Sequence, residues 1–124
     1  MVLYLSKLSV IDNSGAKVAQ CIKVLNKSPK RSLKIGDDLI ISIKKRNIKS
    51  KSKVLKGDIY KSVLVHTKKK YRRLDGTSIS FDANTCVLLN KNDSLISSRV
   101  FGIIPIELVK SQKSRLKSIS NITI

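Results

Sequence analysis

Residues 59–89 read IYKSVLVHTKKKYRRLDGTSISFDANTCVLL. The stretch opens on an apolar-alternating run, Ile59 to Val65, and passes into a knuckle where Lys68, Lys69, Lys70, Arg72 and Arg73 put five cations into six residues around Tyr71. It then turns at Asp75-Gly76. Glycine reaches positive φ without a Cβ clash and aspartate hydrogen-bonds its own turn backbone, so this dipeptide predicts a tight reversal. Beyond it Ile79 and Phe81 share one side of an extended segment, and Val87 and Leu89 share one side of the next. The pattern describes a β-sheet protein that carries a cationic hairpin at the end of its strands.

Working outward, Lys56-Gly57-Asp58 precedes this stretch just as Lys34-Ile35-Gly36-Asp37 precedes Leu39, Ile41 and Ile43. Each Gly-Asp pair starts a strand of period two, the look of a small barrel re-entering its sheet through tight turns. Further upstream, Lys7 to Ile11 reads as a strand that ends in the turn formers Asp12-Asn13-Ser14-Gly15. The run Lys17 to Leu25 follows, with Val18, Ile22 and Val24 expected on the core face and Lys23 on the other. Two further segments carry charge. Asn26 to Lys34 is a loop with Pro29 that presents Lys30 and Arg31; Lys44 to Lys56, KKRNIKSKSKVLK, is acid-free and scarcely apolar. The second is expected not to be buried and to form a basic β-ribbon tip or finger that orders on phosphate, through Lys44, Lys45, Arg46, Lys49, Lys51 and Lys53.

Short strands separated by turn signals, with almost no helical periodicity before residue 100, imply a compact antiparallel barrel over about 1–102. Arg99-Val100-Phe101-Gly102 reads as a last strand and its stop. Ile104 to Val109 predicts a short helix with Pro105 in its first turn and Glu107 near its positive end. Ser118 to Ile124 is expected to fray or to lie against a neighbour. The chain of 124 residues is read as one domain, large enough for one small core.

The charge balance is extreme: 26 Lys and Arg against 8 Asp and Glu give a formal net charge of +18. Such a chain is a partner for a polyanion. Nucleic acid fits better than an anionic membrane, because no long apolar run and no basic amphipathic helix is present, and no membrane insertion is expected. Aromatic residues make up 4% of the chain and Trp is absent, which speaks against rows of stacking rings on single strands and for phosphate and shape contacts. Cys21 and Cys86 have no C-x-x-C spacing, and one histidine completes the inventory, so buried free thiols are expected in place of a metal site. His66, expected to face the surface or RNA, lacks a second group to share proton transfers, so no catalytic residue is assigned. The glycines are isolated turn residues, and no cofactor is expected. Met1 to Val10 has no apolar stretch ending in a cleavage site, and no presequence is expected.

At this point the residues resemble a known family, the universal fourteenth protein of the large ribosomal subunit. The likeness runs through SVIDNSGAK, CIKVLN, IGD and KGD, then through a run from Ser62 that reads V-L, ten residues, D-G, four residues, F, two residues, N, two residues, V-L. Asn90 and SRVFG at 98–102 extend it. Ser62 stands where the family usually has Ala or Gly, and Leu74 replaces a frequent proline. The resemblance implies a five-stranded β-barrel with a projecting basic β-ribbon and a short helical C-terminal part. It implies a structural role: binding large-subunit rRNA, meeting small-subunit rRNA at intersubunit bridges, touching neighbouring large-subunit proteins and offering a dock to a ribosome-silencing factor. Residue by residue, Lys68, Lys69, Arg72 and Arg73 match the family's rRNA-holding hairpin, and Ser98 and Arg99 match its subunit-facing pair. The alternative is a free-standing RNA-binding barrel or assembly factor. Abundant Lys, Ile, Ser and Asn with little Ala suggest an A+T-rich gene, which favours a mitochondrial ribosome, with plastid and bacterial ribosomes as alternatives.

Overall fold

Strand alternation and glycine turns translate into a ring of strands. The computed structural model describes residues 5–25, 33–47, 54–97, 99–110 and 120–124. Its elements are β1 (Lys7–Val10), β2 (Ala16–Val24), β3 (Asp38–Arg46), β4 (Ile59–His66), β5 (Tyr71–Arg72), β6 (Ser78–Ile79), β7 (Thr85–Leu89), β8 (Val100–Ile104), α1 (Ile106–Lys110) and β9 (Ser120–Thr123). A closed barrel has the order β1-β2-β3-β4-β7, with β5-β6 as a separate hairpin and β8-β9 as a second two-stranded sheet.

The expected antiparallel barrel is corrected to a mixed one, because β1 and β7 pair in parallel. The reason is parity: strand direction cannot alternate all the way round a closed ring of five, so one neighbouring pair must run the same way. The excursion through the β5-β6 hairpin lets the chain leave β4 and return alongside β1.

The two Gly-Asp repeats prove to be one local device used twice. Asp37 N–H donates to Lys34 O at 3.1 Å while the Asp37 carboxylate accepts from Lys34 N–H at 2.7 Å; Asp58 N–H donates to Leu55 O at 3.2 Å while its carboxylate accepts from Leu55 N–H at 3.1 Å. Gly36 and Gly57 sit at φ of 92° and 89°, the conformation that such a turn needs at its third position. The strands they launch differ in surroundings. In β3, Leu39, Ile41 and Ile43 point inward and are fully buried, as their alternation predicts.

In β4 both faces are covered: Leu64 joins the barrel interior with Leu8, Cys21, Ile41 and Leu88, while Val63 and Val65 join a second cluster with Val87, Val100, Ile104 and Leu108. The C-terminal segment is therefore a cover over the outside of β4 and β7. Each large side chain buried in this way stabilises the fold by about 1.5–3 kcal/mol.

Several expectations fail for identifiable reasons. Val24 is buried as expected, but Ala16, Ala19 and Cys21 are the other buried residues of β2 while Val18 and Ile22 are half-buried, because bulges at Val18/Ala19 and Cys21/Lys23 break the two-residue period. Val54, in the segment expected to hold no buried residue, is 1% exposed and packs into the barrel interior. Gly102 lies inside β8 and does not end it. The end of the chain pairs as β9, parallel to β8, where fraying or contact with a neighbour was expected.

Asp12 ties the β1-β2 turn to β7, the strand that neighbours β1 across the parallel seam of the ring. Its carboxylate is 5% exposed and accepts from Ser14 N–H at 3.2 Å, from Ser14 Oγ and from Leu88 N–H at 3.0 Å. Ser62 is also buried, but among the described residues its hydroxyl has no hydrogen-bond partner beyond proximity to the weakly polar thiol of Cys86. A buried hydroxyl without a good partner costs stability. Ser62→Ala is expected to raise stability by about 1 kcal/mol. Urea unfolding checks this: the midpoint should rise at constant slope, and a lower midpoint would show that the hydroxyl has a stabilising contact.

Candidate nucleic-acid interface

The cationic knuckle follows β4 directly, and its backbone is held by side chains from both flanks. Asn84 Oδ1 accepts from Lys68 N–H at 2.9 Å, Thr67 Oγ1 donates to Lys69 O at 3.1 Å, and Phe81 N–H donates to Thr67 O at 3.1 Å. Lys68, Lys69 and Lys70 are exposed beyond this frame. The charges project from a fixed base, so less ordering entropy opposes binding than in a free loop.

The hairpin that continues the knuckle is built as its sequence predicts. Tyr71 pairs with Ile79 and Arg72 with Ser78. Arg73 N–H donates to Thr77 O at 2.8 Å, Gly76 N–H donates to Arg73 O at 3.1 Å, and Gly76 has φ of 89°. Asp75 accepts from Thr77 N–H at 3.0 Å and from Thr77 Oγ1 at 2.7 Å, and these bonds hold its carboxyl below the ordinary value. Successive residues alternate faces. Arg72 is exposed, whereas half-buried Tyr71 and Arg73 turn toward Glu107 on α1. Burial works against the Glu107 charge, but its own backbone N–H together with Arg73 and Tyr71 outweighs burial, and its carboxyl lies below the ordinary value.

The other predicted cations fall elsewhere. Lys44, Lys45 and Arg46 are exposed at the end of β3, with Lys45 opposite Val18 and Arg46 opposite Ala16 on β2. Because β3 runs antiparallel to β4, with Asp38 opposite Val63 and Ser42 opposite Ile59, these three and the knuckle leave opposite ends of that pair. The barrel thus carries two separate basic projections. Arg99 is exposed just before β8, its carbonyl accepting from Asn13 N–H at 3.0 Å. Lys30, Arg31, Lys49, Lys51, Lys53 and Ser98 lie outside the described residues. Cys21 and Cys86 are fully buried, and burial, with the Asp12 charge adding to it, pushes the Cys86 thiol up.

His66 corrects the surface reading. Its ring stacks on Phe81 with centroids 4.1 Å apart, and Nε2 is hydrogen-bonded to the carbonyl of Ile103. It joins β4, the return to β7 and β8, and is half-buried. Burial lowers its pKa from the ordinary 6.5 against the opposing pull of the Ile103 carbonyl. In the pH window from 6.5 down to the folded value the unfolded chain binds more protons, so stability rises with pH there and is lost on acidification. As the chain has 1 His, the thermal midpoint is expected to fall from pH 7 to pH 5, and His66→Gln, which keeps an N–H donor without titrating, should flatten much of that fall. Equal slopes in the two proteins would assign the change to carboxylates.

Asn84, Thr67 and Glu107 were not singled out by the sequence for these roles. Asn84 did stand as the lone amide at the entry to β7, and Glu107 as an isolated acid beside a cationic tail.

Comparison with known proteins places the chain. The family described as ribosomal protein L14p/L23e matches residues 1–124. Among curated relatives, the large ribosomal subunit protein uL14 of Carsonella ruddii (strain PV) is 45% identical over 114 residues, covering 92% of each chain.

Proposed function

The chain belongs to the ribosomal protein L14p/L23e family, and on that premise we propose how it serves as a structural, non-enzymatic constituent of the large ribosomal subunit. The observation that carries the mechanism is the knuckle itself, an exposed Lys68-Lys69-Lys70 run held by Asn84 and Thr67 at the end of a barrel strand. Lysine ammoniums are flexible point charges suited to phosphates in varied positions, and Arg72 adds a planar fork able to hold a phosphate through two N–H groups. Lys44, Lys45 and Arg46 form the second rRNA contact, continued in sequence by Lys49, Lys51 and Lys53, with Lys30 and Arg31 as a third. Specificity comes from the spacing of these projections on a rigid barrel, which reads the shape of folded RNA and not its base edges.

Ser98 and Arg99 are assigned to the face that meets small-subunit rRNA and to the dock for a silencing factor. The exposure of Arg99 supports this, as does the anchoring of its backbone by Asn13. The chain works in a ribosome. A mitochondrial home rests on composition, and the similarity to a bacterial uL14 speaks for the bacterial alternative.

The test is sedimentation of native extract at low and high salt. Co-migration with the large subunit through a moderate-salt wash is expected. Migration near the top of the gradient at every salt would replace this reading with that of a free RNA-binding module.

A further inference from the structure

Arg73 was expected to hold phosphate, yet its guanidinium is used inside the protein. Nε donates to Glu107 Oε1 at 2.6 Å, and Nη2 donates to Glu107 Oε2 at 3.3 Å and to the Ile124 carbonyl at 3.0 Å. Tyr71 OH donates to the same Glu107 Oε2 at 3.1 Å. One carboxylate thus collects three hydrogen bonds from two residues on the same face of the hairpin, across a separation of 34 to 36 residues. Three chain segments meet there: the basic hairpin, the start of α1 and the chain end that continues β9.

Among the described residues the hairpin has little else to hold it. β5 and β6 are two residues each, and they form a sheet separate from the barrel. An isolated two-stranded hairpin is marginally stable in water. Leu74 at its tip is fully exposed and Ile79 is half-buried, so among the described residues the tip itself has no apolar anchor. The knuckle has Asn84 and Thr67 on its barrel side, and on its distal side the described contacts run through Tyr71 and Arg73.

We infer that Arg73 is a positioning residue: the Tyr71-Arg73-Glu107 cluster latches the hairpin to α1 and aims Lys68, Lys69, Lys70 and Arg72 at RNA. The inference rests on the reading that the knuckle binds rRNA. It assigns Glu107, an acid in a strongly cationic chain, a favourable part in binding a polyanion. Simple electrostatics gives Glu107 the opposite sign, because removing a negative charge from an RNA-binding protein strengthens attraction to phosphate.

The experiment measures binding of the full-length chain to deproteinised large-subunit rRNA over a range of salt, well below the thermal midpoint of every variant. Glu107→Gln is expected to bind several-fold more weakly despite its higher net charge. Arg73→Gln should weaken binding as well, and the double variant should be no weaker than Arg73→Gln alone, since both changes open one latch. Exchanging the pair, Arg73→Glu with Glu107→Arg, should recover part of the affinity at unchanged net charge. Hydrogen exchange should quicken at the hairpin amides of Arg73 and Gly76 in Glu107→Gln. Leu88→Ala, which destabilises the barrel interior, should leave the affinity of the folded protein unchanged, separating positioning from general stability. Glu107→Gln binding as tightly as the wild type or tighter would overturn the latch and return Arg73 to the phosphate ligands. A wild-type chain that shows no salt-dependent binding would overturn the functional reading and, with it, the latch.

Discussion

Replacing Lys68, Lys69, Lys70 and Arg72 together by Gln is expected to make the log-log salt dependence of rRNA binding shallower by about 3 and to weaken binding on the order of 10²–10³-fold at ~0.15 M salt. Each phosphate neutralised releases condensed counterions, and for RNA this contributes roughly 0.7–0.9 to the slope, depending on whether the contacted strand is single or paired. Four contacts account for the figure. The affinity loss follows from the same line, taken from a reference near 1 M salt down to physiological concentration. Arg73 is left intact in this variant, so the latch to Glu107 persists and the hairpin stays in place.

A net charge of +18 would attract RNA from any face, so the control must remove four cations elsewhere. Lys7, Lys17, Lys23 and Lys91 are exposed and lie outside the knuckle and the segment from Lys44 to Lys56. Their joint replacement by Gln should change the slope by less than half as much. Equal losses in the two variants would mean that the protein binds as a diffuse cation and that the knuckle is no site. In extract, the knuckle variant should also leave the large subunit at lower salt than the wild type. A variant retained as firmly as the wild type would shift the main rRNA contact to the end of β3 and the segments beyond it.

What the sequence made legible follows the range of the forces involved. The Gly-Asp devices, the Asp75-Gly76 turn and the inward face of β3 depend on neighbours within a few residues, and each is where its pattern puts it. Features set by distant partners were opaque. Val63 and Val65 look like half of an ordinary amphipathic strand, yet the outer face of β4 is buried because Val100, Ile104 and Leu108 return to cover it. β2 fails for the opposite reason, since bulges leave no trace in composition and shift Ala19 and Cys21 inward in place of Val18 and Ile22. At the candidate interface the cations were visible as a run, but their division of labour was not. Whether an arginine serves phosphate or carboxylate is decided by what lies opposite, and Glu107 is 34 residues from Arg73. The resemblance to a family supplied the strand count; parity of the ring, which follows from that count, should have ruled out an all-antiparallel closure.

Asp12→Ala is expected to cost about 2–4 kcal/mol. The substitution leaves Leu88 N–H and Ser14 N–H without their carboxylate acceptor in a site that is 5% exposed, and each orphaned buried donor costs about 1–3 kcal/mol. Asp12→Asn separates the roles of shape and charge, because its one carbonyl oxygen can still accept from Leu88 while the amide nitrogen opposes a second donor. It should lose less than Asp12→Ala.

The pH dependence then tests the charge itself. Burial raises the Asp12 pKa above its ordinary 3.8, overcoming the hydrogen bonds from Ser14 and Leu88 that favour the carboxylate. Between 3.8 and the folded value the native state binds more protons than the unfolded state, so the share of stability from this group is present at low pH and is lost as pH rises through that window. The stability difference between wild type and Asp12→Asn should therefore shift against the wild type from pH 3.5 to pH 6, measured by urea unfolding at fixed salt. A difference that moves in favour of the wild type over that range would show that the donors around Asp12 outweigh its burial and that the carboxylate, once formed, holds the β1-β2 turn to β7.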